Sequence, residues 1–123
     1  MTIDRLPVWL EQMHEAASQA LAYVDGMDKD GFVADKRTQQ AVVLNLLVIG
    51  ELAAKLIEQR GDFVTEHPRI AWASMKGMRN RIAHGYFEFD IGVVWETVQR
   101  ALPDLLVHLP AVRVAAQERP ARR

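Results

Sequence analysis

The chain has 123 residues, half of them hydrophobic and 25% charged, with a formal net charge of −1 and no cysteine. That length supports one compact domain rather than two, the balanced charge argues against a non-specific nucleic-acid coat, and the lack of thiols excludes disulfides, thiolate metal sites and cysteine nucleophiles. No secretory signal pattern is visible, and the longest apolar run is interrupted by Asn45 and Gly50 and stops at Glu51. This is short of the roughly 20 residues that span a bilayer, so a soluble, cytoplasmic protein with no membrane segment is expected.

In chain order, Leu6, Leu10, Met13, Ala17, Leu21 and Val24 recur at helical spacing and predict a first helix from about Asp4, its N-cap, to Val24. The Gly- and Asp-rich stretch that follows reads as an acidic loop containing Asp25, Asp28, Asp30 and Asp35. A second helix is expected from Asp35 or Thr38 to Gln59. Between Val42 and Ile49 every residue except Asn45 is apolar, so the apolar arc covers more than half of the helix circumference. One facing helix cannot cover such an arc, so this helix either lies at the centre of a bundle or also serves a subunit interface. Asn45, inside the arc, needs a hydrogen-bonding partner, whereas Glu51 falls on the polar side and reads as solvated.

After a loop at GDFVTEHPR, a third helix is expected from Pro68 or Ile70 to about Ala83, with Trp72, Met75, Met78 and Ile82 as its apolar stripe. A fourth follows Asp90, a good N-cap, and carries Val94, Val98, Leu102, Leu105 and Leu109. Pro103 inside it predicts a kink or break. The pattern as a whole predicts an all-α, antiparallel four-helix bundle over residues 1–110, followed by a disordered tail, 111–123.

The chemistry concentrates in one segment. From His67 to Phe87 there is no acidic residue, while Arg69, Lys76, Arg79 and Arg81 supply cations. Arg79 falls about 40° from Met75 and about 60° from Ile82, at the border of the apolar stripe, where an arginine needs an anionic or hydrogen-bonding partner. His84 lies five residues on, roughly 140° round an unbroken helix. The two can share a site only if the helix ends at His84, which Gly85 in a left-handed C-terminal conformation would permit. An imidazole that titrates near neutrality and a guanidinium whose fork fits phosphate oxygens suit phosphodiester cleavage. In RNA the 2′-hydroxyl supplies the nucleophile, so no metal is strictly required. Arg81 reads as a solvated residue that adds to a phosphate-binding field, and Lys76 is the other candidate RNA contact. His14, His67 and His108 are scattered without metal-ligand spacing, no Gly-rich phosphate loop is present, and the tryptophans read as core, so neither metal nor cofactor is expected.

The string Met78-Arg79-Asn80-Arg81-Ile82-Ala83-His84-Gly85-Tyr86 closely resembles the R-x4-H-x-Y signature of HepT, the toxin of the HepT/MntA systems within the HEPN superfamily of helical ribonucleases. Flanking features are also similar: Ile49-Gly50-Glu51 with Ala54 and Lys55, Pro68 with Ile70 and Trp72, Val94-Trp95, and Leu102-Pro103. The resemblance implies a metal-independent endoribonuclease with Arg79 and His84 as catalytic pair and Asn80 as a supporting motif residue. It further implies a homodimer with the cleft at its interface, an RNA substrate (tRNA or mRNA), and a type VII-like toxin–antitoxin pairing. In such a pairing an MntA-type nucleotidyltransferase silences the toxin by AMPylation of Tyr86. Two other readings stand beside it. One is a non-catalytic helical module that docks a nucleotidyltransferase. The other is a purely structural helical dimer, in which Arg79 would meet an internal carboxylate and no cleft would open.

Overall fold

A computed structural model describes residues 4–85 and 90–118. The described residues form α1 (Leu6–Tyr23), α2 (Lys29–Ala34), α3 (Lys36–Gln59), α4 (Gly61–Glu66), α5 (Trp72–His84), α6 (Ile91–Glu96), a π-helical turn (Thr97–Ala101) and α7 (Leu102–Glu118), with no strand among them.

Asp4 does not occupy the N-cap position itself. The helix begins one residue later than expected, yet the Asp4 carboxylate still accepts the Leu6 N–H at 3.0 Å, a first-turn donor that has no intrahelical acceptor. The same Asp4 oxygen accepts from Nη1 of Arg60 at 2.7 Å, and Arg60 is only 6% exposed. This buried pair ties the start of α1 to the end of α3. Beyond α1, Gly26 turns the chain with φ +77°, a left-handed conformation that a side chain disfavours.

The two loops expected from Gly and Asp content each contain a short helix. In α2, Asp28 caps Gly31 N at 2.7 Å and Phe32 is buried, its ring centroid 5.3 Å from that of Trp95 in α6. In α4, Phe63 is fully buried. A single large aromatic per segment produces no periodicity, which is why composition concealed both helices. Asp35 caps α3, accepting from the Thr38 hydroxyl at 2.7 Å and the Thr38 N–H at 3.1 Å. These two hydrogen bonds hold its carboxyl below the ordinary carboxylate range.

α3 is the central helix: α5 and α1 are its most extensive neighbours, and α7 packs on α1. All the residues of the expected first stripe are buried except Leu21, which is half-buried, and each fully buried Leu or Met contributes about 1.5–3 kcal/mol. Asn45 is buried and donates to the Ala41 carbonyl at 3.0 Å. By length and hydropathy α3 could cross a membrane, but 44% of its most apolar window is buried between its neighbours. Leu44 and Val48 stay exposed, so two neighbouring helices do not exhaust its apolar arc. The all-α class expected from the sequence is found among the described residues, and the main helices pack in the order α5, α3, α1, α7. A cavity of about 300 Å³ separates α5 from the π turn and α7, over Leu46 and Ile49.

The break expected at Pro103 takes a specific form. A proline ring crowds the carbonyl four residues earlier; here the preceding turn opens into a π turn, with Leu102 N–H donating to Thr97 O. The tail expected after Pro110 is corrected over residues 111–118. α7 runs through Pro110, which is exposed, and buries Val112 and Ala116 beyond it. That burial offsets the hydrogen bond lost at the proline.

Candidate active site

Where α3 crosses α5, the backbones come closer than side chains permit. A Cβ on Gly50 would fall inside contact distance of Arg79 Cβ and 2.8 Å from the Met75 carbonyl oxygen. The arginine stem therefore lies flat against Gly50. Its Nη1 reaches Oε1 of the next residue, Glu51, at 2.8 Å, while Nε is buried without a hydrogen-bond partner. The Arg79 side chain is 25% exposed and that of Glu51 is 54% exposed. The anionic partner that Arg79 requires is thus Glu51, the residue whose helical phase reads as solvated. Phase within α3 cannot reveal it, since the pairing depends on the register of α5 against α3. Gly50 in so apolar a helix is the sequence signal for the close approach.

His84 is the last residue of α5 and is exposed. Its Nδ1 lies 3.0 Å from the Asn80 carbonyl oxygen. A carbonyl only accepts, so Nδ1 donates in this contact; in a neutral imidazole the lone pair then sits on Nε2. Asn80 thus supports the imidazole through its backbone, while its side chain is on an exposed position. The expected left-handed Gly85 is not found: φ is −136°, and its N–H continues the helical pattern by donating to Arg81 O at 3.0 Å. With α5 regular to His84, Arg79 turns towards α3 and His84 towards a cleft lined by Met78, Arg81, Ile82, Gly85, Val93 and Val94. Among the described residues Arg79 pairs with Glu51 and His84 with the Asn80 carbonyl, not with each other. The carboxylate pairing matches part of the purely structural reading, but Glu51 is not internal and a cleft is open beside the histidine.

Arg81 is exposed, lines both this cleft and the cavity beside α7, and has Nη2 3.9 Å from Met78 Sδ. Lys76 is half-buried on α5. Tyr86 lies outside the described residues. Of the other histidines, His67 stacks near Phe63 with ring centroids 4.3 Å apart, and His108 lies 3.4 Å from Asp104 one turn away. Among the described residues, His, Asp and Glu do not gather in groups able to hold a metal.

A helical fold that presents an arginine and an oriented, exposed histidine on one short helix, beside an open cleft, has the features of a HEPN-type helical ribonuclease. The chain belongs to the ribonuclease HepT-like family, which it matches over residues 13–112. It is 38% identical over 97 residues to a "Probable ribonuclease HepT" of Thermococcus cleftensis, covering 79% of this chain and 86% of that one. It is 31% identical over 96 residues to a "Putative RNase" of Methanocaldococcus jannaschii, covering 78% of this chain and 77% of that one. A "Putative RNase" of Caldanaerobacter subterraneus is 29% identical over 97 residues, covering 79% and 84%. No solved structure matches the chain.

Proposed function

We propose that this chain is the toxin of a type VII-like toxin–antitoxin pair, a metal-independent endoribonuclease that acts as a homodimer on cytoplasmic RNA, either tRNA or mRNA. The observation that carries the reading is His84: a helix-end imidazole oriented through Nδ1, with Nε2 free beside a cleft, in a ribonuclease family. In this reading Nε2 takes the proton of the substrate's 2′-hydroxyl, whose oxygen attacks the adjacent phosphorus as the bond to the 5′-oxygen breaks. The products are a 2′,3′-cyclic phosphate and a 5′-hydroxyl, and the proton passes to the leaving oxygen. Arg79 stabilises the charge that develops on the phosphoryl oxygens, and Lys76 and Arg81 hold the flanking backbone.

On a regular helix Arg79 and His84 lie about 140° apart, which supports a site completed by a second copy. Leu44, Val48 and Glu51 fall on one exposed stripe of α3, which supports a dimer face running from apolar residues to the arginine. AMPylation of Tyr86 by an MntA-type nucleotidyltransferase would place a bulky phosphodiester two residues from His84, opposing RNA by sterics and charge.

Purified, unmodified protein is expected to cleave RNA in excess chelator and leave cyclic-phosphate ends, with His84→Ala and Arg79→Ala inactive. Equal cleavage by wild type and His84→Ala removes the histidine from the reaction. Co-expression with the nucleotidyltransferase should add the mass of AMP to the wild type and not to Tyr86→Phe. Loss of nucleotidyltransferase binding in these variants, without RNA cleavage under any condition, would instead establish the docking module.

A further inference from the structure

We infer that Glu51 is a positioning residue for Arg79, and that Gly50 and Glu51 together form a seat on α3 that presents the guanidinium to the scissile phosphate. The inference rests on the proposed ribonuclease reading for its catalytic consequence, and on geometry for the seat itself. Two contacts act on different parts of the same side chain. Gly50 receives the stem, since even a methyl group there would collide with Arg79 Cβ and crowd Cγ at 3.1 Å. Glu51 Oε1 then holds Nη1 at 2.8 Å.

An ion pair whose carboxylate is 54% exposed contributes little to stability. Its effect is therefore on orientation. A free arginine side chain loses much rotamer entropy when it is ordered, and here its stem is already confined by Gly50, so one further hydrogen bond suffices to fix the plane of the guanidinium. Nε is buried, Nη1 is paired with Glu51 and the side chain is 25% exposed, so the Nη2 edge is the one left to meet an anion. A phosphate approaching that edge meets a preorganised donor set, with no rearrangement left to be made during the reaction. A carboxylate beside a phosphate-binding arginine would ordinarily repel the substrate. Here Glu51 engages Nη1 only, which leaves Nη2 for the anion.

The test pairs kinetics with a readout of arginine order. Glu51→Ala should lower kcat for RNA cleavage by about 10- to 100-fold with KM changed less than about threefold, the range expected from a small misplacement of a catalytic group. Glu51→Gln keeps an acceptor oxygen and should recover most of kcat. In full-length protein labelled with ¹⁵N-arginine, the Arg79 Nε–H group should lose order in Glu51→Ala and retain it in Glu51→Gln. Arg60, held by Asp4, is the internal control. Unchanged Arg79 order in Glu51→Ala, or kcat equal to or above wild type, overturns the inference. Failure of the ribonuclease reading has a different signature: wild type cleaves no RNA, or Arg79→Ala cleaves as well as wild type, while the Glu51 dependence of Arg79 order persists. In that outcome the seat stands and its catalytic purpose is refuted.

Discussion

Gly50 and Gly77 both lie in helix interiors, and the same substitution at each should change stability in opposite directions. Replacing a helix-interior glycine by alanine gains about 1 kcal/mol in the absence of other contacts. At Gly77 the nearest atom to an added Cβ is Arg81 Nη1 at 3.8 Å, the end of a flexible side chain, so Gly77→Ala should show most of that gain. At Gly50 the obstacles are Arg79 Cβ and the Met75 carbonyl at 2.8 Å, neither of which can rotate away. Overpacking of this kind costs about 1–3 kcal/mol, and the rigidity of the neighbours places Gly50 at the upper end. After subtracting the propensity gain, Gly50→Ala should destabilise by about 2 kcal/mol. For a domain of this size that lowers Tm by roughly 8 °C, against a rise of about 4 °C for Gly77→Ala. Thermal unfolding followed by circular dichroism reads both. Because α5 must move outward to admit the methyl group, Gly50→Ala should also lose RNA cleavage at temperatures where it is fully folded. A Gly50→Ala protein at least as stable as wild type would refute the close approach of α3 and α5, and with it the seat for Arg79.

Three further outcomes follow from other contacts. Asp4→Ala leaves the 6%-exposed Arg60 without its 2.7 Å partner and should destabilise on the order of 3 kcal/mol, whereas Arg60→Met with Asp4→Ala should recover part of the loss; denaturant titration of the single and double variants checks both. Gly85→Ala should leave Tm within about 2 °C of wild type, because φ is −136° and an added Cβ stays 3.4 Å from the nearest atom, Arg81 O. A large loss there would mean that the glycine needs its left-handed freedom after all. Asp35 contributes to the pH dependence of stability. Its carboxyl is held low by the Thr38 hydroxyl first and the Thr38 N–H second, so the unfolded chain binds the proton more readily. The stabilisation is present above the ordinary value of 3.8 and lost as pH falls through the lower folded-state value. Urea midpoints measured from pH 6 to pH 2.5 should therefore fall less steeply in Asp35→Asn than in wild type.

What was legible in the sequence divides along a physical line. Long amphipathic periodicity identified α1, α3, α5 and the α6–α7 segment, because burial of a stripe leaves a repeating record in the chain. The short helices α2 and α4 leave no such record, since each is anchored by one phenylalanine, and the stretch of α7 beyond Pro110 leaves little, since it buries only Val112 and Ala116.

The site divides in the same way. Arg79 and His84 could be chosen by chemistry and motif, and the angle of about 140° between them could be worked out from helical geometry alone. Whether the helix stayed regular to His84 depended on one torsion at Gly85, which glycine's permissiveness leaves undetermined. Regularity there has a functional consequence. It keeps His84 on the Asn80 carbonyl at the end of α5, while Arg79 is held on Glu51 of α3. Glu51 was misread for the corresponding reason: its exposure was correct, but exposure on one helix says nothing about the side chain that another helix brings across it.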